Sequence, residues 1–222
     1  MIVTKQGVMC IILLDMVKKI IQQGAEAILY KEGNILIKER VPKKYRHPEI
    51  DIAKRKYPTR SEAKLLVKAK NVGINVPELI DSDDESMKIS MEFLDGDVLK
   101  NKLDKYSKSK RNKVCELIGE QVALMHDGEI IHGDLTTSNM IYKDGKVYFI
   151  DFGLGFVSNK VEGMAVDIHL LSQAFESKHY KVSDELYKYF LKGYHKKKDY
   201  KKVLERLEQV EKRGRYKNKN CH

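Results

Sequence analysis

His132-Gly133-Asp134-Leu135-Thr136-Thr137-Ser138-Asn139, followed twelve positions later by Asp151-Phe152-Gly153, sets two acids and an amide within one short span of chain. Asp134 and Asn139 stand five apart on one tight loop. Met140 to Tyr142 and Val147 to Ile150, joined at Asp144-Gly145, read as a strand, a tight turn and a strand leading to Asp151. That hairpin folds Asp151 back beside the loop, so three oxygen-bearing side chains converge. Magnesium takes a few carboxylate or carbonyl oxygens and completes its octahedron with phosphate oxygens and water. The set therefore suits magnesium-assisted phosphoryl transfer. Asp134 is the candidate base for the proton of an attacking hydroxyl or water, a role that contributes about a hundred- to ten-thousand-fold in rate. Asn139 and Asp151 are the candidate metal ligands. Singly each would be an ordinary turn residue; the register of all three, with Phe152-Gly153 behind, carries the reading. His132 reads as a packing and orienting residue.

The order H-x-D-x-x-x-x-N and then D-F-G resembles the catalytic and metal-binding elements of the protein-kinase fold. On that reading Lys38, near the end of the strand Leu36-Ile37-Lys38, stands where a kinase places the lysine that grips the phosphates of ATP. Glu62 follows on a helix at a distance suited to an ion pair with it. The phosphate-covering loop, Gln22-Gln23-Gly24-Ala25-Glu26-Ala27-Ile28-Leu29, keeps one glycine where G-x-G-x-x-G-x-V has three. Gln23, Gly24, Ala25, Glu26 and Ala27 are its candidate nucleotide contacts, on a loop stiffer than a glycine-rich one. Glu92 to Leu94 is the expected hinge, where the backbone of Glu92 and Leu94 would meet the adenine edge.

Two departures from the kinase pattern are informative. Gly133 replaces the arginine of H-R-D, which pairs with a phosphate on the activation loop, so switching by loop phosphorylation is not expected. Only fifteen residues separate Asp151 from Asp167, with no A-P-E between them. The platform that grips peptide substrates is missing, and a dedicated protein partner fits better than many peptides. Asp167 is placed to anchor the catalytic loop from the following helix.

The rest of the chain is consistent with an α+β, bilobal protein-kinase-like fold, with a small β-rich N-lobe and a helical C-lobe. Ile20 to Tyr30, the turn Glu32-Gly33-Asn34 and Ile35 to Lys38 read as strands. A helix is expected from Thr59-Arg60-Ser61-Glu62, capped by Ser61 and ended by Asn71-Val72-Gly73. Lys88 to Phe93 reads as a further strand. Beyond Gly96 the period becomes helical, with Val114, Leu117, Ile118, Val122 and Met125 on one face. Three more helices are expected over Val166 to Phe175, Ser183 to Tyr194 and Tyr200 to Lys212, the last stopped by Gly214. The boundaries are a leader at 1–17, an N-lobe at 18–94, a C-lobe at 95–214 and a basic tail at 215–222. The N-lobe alone is too short for a robust core of its own.

The charged fraction of 33% is above the usual quarter, and the net charge of +10 is unevenly spread. Lys38 to Arg60 holds nine Lys/Arg against three acids, and Lys192 to the end holds twelve against four. Two such stretches on an otherwise balanced chain imply a polyanionic partner, most simply a nucleic acid. Cys10, Cys115 and Cys221 are scattered and form no C-x-x-C, which implies a reducing compartment. Val8 to Leu14 is too short to span a bilayer. A cytoplasmic protein without membrane association is expected.

Taken together, Gln23-Gly24-Ala25-Glu26-Ala27, Lys38-Glu39-Arg40, Lys44-Tyr45-Arg46-His47-Pro48, Arg60-Ser61-Glu62-Ala63, the His132 loop and Asp151-Phe152-Gly153 are similar to the small kinase of the KEOPS complex. The resemblance covers about residues 20 to 216, and its specific parts are the Q-G-A-E-A loop and the Lys-Tyr-Arg-His-Pro stretch. It implies a RIO-like atypical Ser/Thr kinase that uses ATP and magnesium and acts mainly through ATP hydrolysis. The implied partners are the synthase that installs threonylcarbamoyladenosine in tRNA, the other KEOPS subunits, and tRNA held through the basic patches and the tail from Lys212 to Lys217. Because the two enzymes are fused in some archaea, residues 1–17 would be a linker remnant. Against this stands a small-molecule phosphotransferase of the aminoglycoside or choline-kinase type, in which H-G-D is common; the short segment after Asp151 leaves it little acceptor pocket. A nonenzymatic RNA-binding scaffold is opposed by the presence of Lys38, Asp134, Asn139 and Asp151.

Overall fold

The computed structural model describes residues 19–217; the expected leader at 1–17 and the last five residues of the basic tail lie outside them. Five strands open the fold: β1 (Lys19–Gln23), β2 (Ala27–Glu32), β3 (Ile35–Arg40), β4 (Leu79–Asp83) and β5 (Lys88–Glu92). They form one antiparallel sheet in the order β1-β2-β3-β5-β4. Residues two apart on a strand share a face. Lys38 and Arg40 therefore point the same way, and both are buried. Ile89 and Met91 of β5 alternate in the same manner and join Leu65, Leu66 and Ala69 in the core.

Helix α1 (Pro48–Asn71) supplies those last three residues and corrects the sequence reading. It begins at Pro48, not near Thr59, and Ser61 lies inside it rather than at a cap. Pro48 sits at the first turn, where the missing N–H costs nothing. Glu49 and Asp51 suit the positive end of the helix dipole, and Asp51 pairs with Arg55 one turn on at 2.7 Å. These contacts carry the helix through Pro58, which lies inside it.

The chain then crosses by Phe93, whose N–H donates to Asn34 O at 2.8 Å, into the helical lobe. This lobe contains β6 (Asp97–Val98), α2 (Leu99–Lys102), α3 (Lys108–Asp127), β7 (Ile130–Ile131), β8 (Met140–Lys143), β9 (Lys146–Phe149), β10 (Phe156–Val157), α4 (Val161–Lys178), α5 (Ser183–Tyr194) and α6 (Tyr200–Lys217). Between β8 and β9, Asp144 (φ 49°) and Gly145 (φ 78°) both adopt the left-handed conformation that a two-residue hairpin turn needs. Helices α3 and α5 cross on paired glycines. A Cβ at Gly119 would lie 2.0 Å from Phe190 O, and one at Gly193 2.0 Å from Glu116 O. Helix α6 runs through Gly214, which was expected to stop it; one interior glycine costs only about 1 kcal/mol, and the residues around it are good helix formers.

One hydrophobic core runs through both lobes, from Leu65 and Ile89 through Ile118 and Phe149 to Phe190. The small lobe thus shares the core of the large one, which resolves its lack of apolar mass. Phe152, next to Asp151, is fully buried in this core and fixes the segment that carries the acid. Among the described residues no helix is long and apolar enough to cross a membrane.

Candidate active site

The cleft between the lobes is built around Lys38. Its ammonium donates to Glu62 Oε1 at 2.8 Å and to Asp151 Oδ1 at 2.7 Å, joining β3, α1 and the segment after β9. Glu62 is 1% exposed, and its second oxygen accepts from Arg40 Nη2 at 2.5 Å. Arg40 Nη1 reaches Thr59 Oγ1 at 3.3 Å. Two cations and two carboxylates leave this cluster neutral, which is what makes burying it tolerable. Asp151 adopts φ 62°, a sparsely populated conformation for a residue with a side chain. Burial raises the pKa of its carboxyl, but the charge and hydrogen bond of Lys38, helped by the Gly153 N–H, outweigh that and hold it below the usual carboxylate range.

Asp134 and Asn139 lie together on the loop after β7. Asn139 Nδ2 donates to Asp134 Oδ2 at 2.8 Å and to Asp134 O at 2.9 Å. Both interactions use the amide nitrogen, so Asn139 Oδ1 is left without a donor among the described residues. The loop is pinned from below by Asp167 of α4, which is fully buried. Its carboxylate accepts from His132 N at 2.7 Å and from Gly133 N at 2.9 Å. His126 links Asp167, at 3.5 Å, to the hydroxyl of Tyr194, at 2.8 Å.

His132 is fully buried, with its ring 4.7 Å from that of Phe152. Nε2 donates to Ile150 O at 3.1 Å and Nδ1 accepts from Asp134 N at 3.3 Å. Burial lowers its pKa, so it stays neutral with both nitrogens engaged, an orienting role rather than a basic one. Gly133 has φ 79°, and a Cβ there would lie 2.3 Å from Leu154 O. The arginine of H-R-D is excluded here by space as well as by backbone conformation. Just beyond Leu154, Phe156 and Val157 pair with Ile131 and Ile130, so the chain turns straight back onto the catalytic loop.

A cavity of about 950 Å³ runs from Gly24, Ala25, Glu26 and Ala27 past Lys38 to Asp134 and Asp151. Gln23, Glu62 and Asn139 are not on its wall, where Gln22 stands instead; Gln23 lies on β1 opposite Ile28, Glu62 is bonded to Lys38 and Asn139 to Asp134. The structure does not bring Glu92 and Leu94 to the wall of this cavity. Glu92 approaches Lys143 at 3.5 Å, and Leu94 is buried. The N–H groups of Glu92 and Phe93 are spent on Glu78 and Asn34. Leu94 N–H has no partner among the described residues.

Sequence reasoning missed Arg40, Thr59, His126 and Tyr194. Arg40 alone left a signal, since it lies two positions from Lys38 on the same strand face. Cys115 is inert, because burial pushes its thiol up to about 12. Among the described residues no group of three or more His, Cys, Asp or Glu forms a ready-made metal cage. Asn139 Oδ1 with Asp151 instead suits magnesium, which binds through one or two protein oxygens and completes its shell with phosphates and water.

The fold and cleft define a protein of the protein-kinase-like class. Two solved structures share its architecture. The Rio2 kinase-ADP/Mg2+-phosphoaspartate complex from Chaetomium thermophilum has a TM-score of 0.58 at 14% identity over 88% of this chain and 70% of that one. WaaP in complex with acyl carrier protein has a TM-score of 0.58 at 12% identity over 90% and 89%. At such identities the likeness establishes the fold alone. The family follows from sequence: the chain belongs to the RIO-domain family, whose model matches residues 29–188. It is 42% identical to the KEOPS complex subunit Bud32 of Pyrococcus abyssi, over 91% of this chain and 98% of that one. It is also 40% identical to the probable bifunctional tRNA threonylcarbamoyladenosine biosynthesis protein of Methanosarcina acetivorans, over 88% of this chain; there the match spans only 35% of the longer protein.

Proposed function

We propose that this chain is an ATP- and magnesium-dependent atypical Ser/Thr protein kinase and ATPase, serving the KEOPS assembly that forms threonylcarbamoyladenosine in tRNA. The observation that carries the proposal is the bridge from Glu62 through Lys38 to Asp151, facing Asp134 and Asn139 across one cleft. The 42% identity to a KEOPS subunit over nearly its whole length supplies the setting. The relatives reported above are named for KEOPS and for tRNA threonylcarbamoyladenosine biosynthesis, and the small-molecule alternative is set aside.

The roles follow from the geometry. Lys38, oriented by Glu62, presents its ammonium to the phosphates, and Arg40 keeps Glu62 neutralised behind it. Asn139 Oδ1 and Asp151 would hold magnesium, which neutralises charge on the phosphates. Asp134, fixed by the Asn139 amide, accepts the proton of the attacking hydroxyl or water. Residues 23–27 cover the phosphates. We place the lobes at 18–94 and 95–214, in a cytoplasmic protein whose partners are the threonylcarbamoyladenosine synthase, other KEOPS subunits and tRNA.

The test is magnesium-dependent ATP turnover by this chain, alone and with the synthase from the same organism. Turnover that rises with the synthase supports a partner-coupled ATPase. Turnover indifferent to the synthase, together with phosphorylation of small hydroxylated acceptors, would return the choice to a small-molecule kinase.

A further inference from the structure

The Lys44-Tyr45-Arg46-His47-Pro48 stretch is distinctive in sequence, yet no role above uses it. In the fold it forms the entry to α1, with His47 as the residue before the helix and Pro48 in its first turn. Arg46 projects from this entry into the wall of the cleft, where Glu26 of the phosphate-covering loop also stands. Its guanidinium grips both oxygens of the Glu26 carboxylate, Nη2 to Oε1 at 3.1 Å and Nη1 to Oε2 at 3.5 Å. On its other side Nη1 is 3.8 Å from Asp51 Oδ1. Asp51 is itself fixed by Arg55 Nε at 2.7 Å and Lys43 N at 3.1 Å, and its side chain is only 5% exposed. Arg46 thus rests on a buried anchor and reaches out to a carboxylate on the loop.

That carboxylate poses an electrostatic problem. A loop that covers a polyphosphate should not present a negative charge to it, because like charges a few ångströms apart repel strongly. This loop also keeps a single glycine, Gly24, whose N–H closes the turn onto Ala27 O at 2.9 Å, so its backbone has little freedom to compensate. A forked guanidinium–carboxylate contact both neutralises the acid and fixes its direction.

We propose that Arg46 is a positioning residue of the nucleotide site: it holds Glu26 turned toward α1, cancels its charge, and so sets residues 23–27 over the phosphate end of the cleft. The inference rests on the reading of this cleft as a nucleotide site. Arg46 acts through Glu26 and makes no contact with the nucleotide itself.

The experiment is a double-mutant cycle on the full chain. Magnesium-ATP and AMP affinities are measured by calorimetry for wild type, Arg46→Ala, Glu26→Gln and the double variant, with thermal unfolding checked for each. Arg46→Ala should weaken ATP binding about fivefold, as expected of a modest, solvent-accessible charge pair. AMP affinity should stay within about twofold, because AMP lacks the β- and γ-phosphates that the loop would cover. In the Glu26→Gln background the further loss from Arg46→Ala should fall below about twofold, and Arg46→Lys should lie between wild type and Arg46→Ala. An equal loss in both backgrounds would overturn the proposal in favour of direct phosphate contact, and so would an unchanged ATP affinity in Arg46→Ala. Wild type that binds neither nucleotide would overturn the nucleotide reading itself, and this proposal with it.

Discussion

The two basic stretches look alike in composition and behave differently in the fold. From Lys38 to Arg60 the cations turn inward or toward fixed partners. Lys38 and Arg40 meet Glu62, Arg46 meets Glu26 and Asp51, Arg55 meets Asp51, and Lys56 and Arg60 meet Asp84. Lys43, Lys44 and Lys54 carry no ion pair among the described residues. From Lys192 onward the cations lie mostly on the outside. Lys192 and Lys196 pair with Glu116 and Glu120 while their own side chains stay 62% and 63% exposed, Lys202, Arg206 and Arg213 pair with Asp199 and Glu162, and Lys198, Lys201 and Lys212 carry no ion pair among the described residues; Lys197, buried against Asp127, is the exception. The first stretch lines the cleft, and the second lies on the outer face. Net charge counts both the same, and so does ion pairing, with six of nine described cations paired in each; burial separates them. Of the two polyanion patches expected from composition, the first is therefore the less exposed.

The largest effect is expected from Glu62→Ala. It leaves Lys38 and Arg40 buried without their shared carboxylate, and should cost about 3–5 kcal/mol in urea unfolding. A loss below about 1 kcal/mol would mean that the inward stretch is no more committed than the outward one.

The second test concerns the surface. If Lys198 and Lys201 contact tRNA phosphates, replacing both with alanine should reduce the slope of log affinity against log salt by about two, while Lys54→Ala leaves it unchanged. A wild-type affinity flat with salt would remove tRNA from the partners assigned to this surface.

A smaller effect separates Asp151 from ordinary surface acids. Its folded pKa lies below the unfolded one, so its pair with Lys38 contributes fully above the usual carboxylate value of about 3.9 and is lost as pH falls through the lower folded value. With the side chain half exposed, the contribution should stay below about 1 kcal/mol. The stability difference between wild type and Asp151→Asn should shrink as pH drops below about 4, and a difference constant down to pH 2 would contradict the pairing. Smallest of all, Lys196→Ala should shift stability by only about 0.2–1 kcal/mol, as expected of an exposed pair.

What the sequence revealed of this molecule depended on how local the signal was. Asp134, Asn139 and Asp151 were legible because a tight loop and a two-residue turn leave little choice of geometry. Helix α5, Ser183–Tyr194, was legible because its apolar period and its length agree. The start of α1 was hidden, since Ser61 mimics a helix cap, while the ion pair and the fit of Pro48 that start the helix earlier show only in the fold. Arg40 and Arg46 stood in the quoted motifs and in a basic stretch without a role, because Glu62 and Glu26 reach them only through tertiary packing. Gly133 read as a lost arginine, while its left-handed φ and its approach to Leu154 O exist only in three dimensions. The two-residue strands β7 and β10 carry no periodicity to detect.

The proposal that one cleft does the chemistry while a separate surface meets the nucleic acid is tested by Asp134→Ala, assayed in parallel for magnesium-dependent ATP turnover and for tRNA binding. Turnover should fall by at least about a hundredfold, with tRNA affinity and its salt dependence unchanged. Turnover retained in the variant, or an equal loss of tRNA binding, would contradict the account.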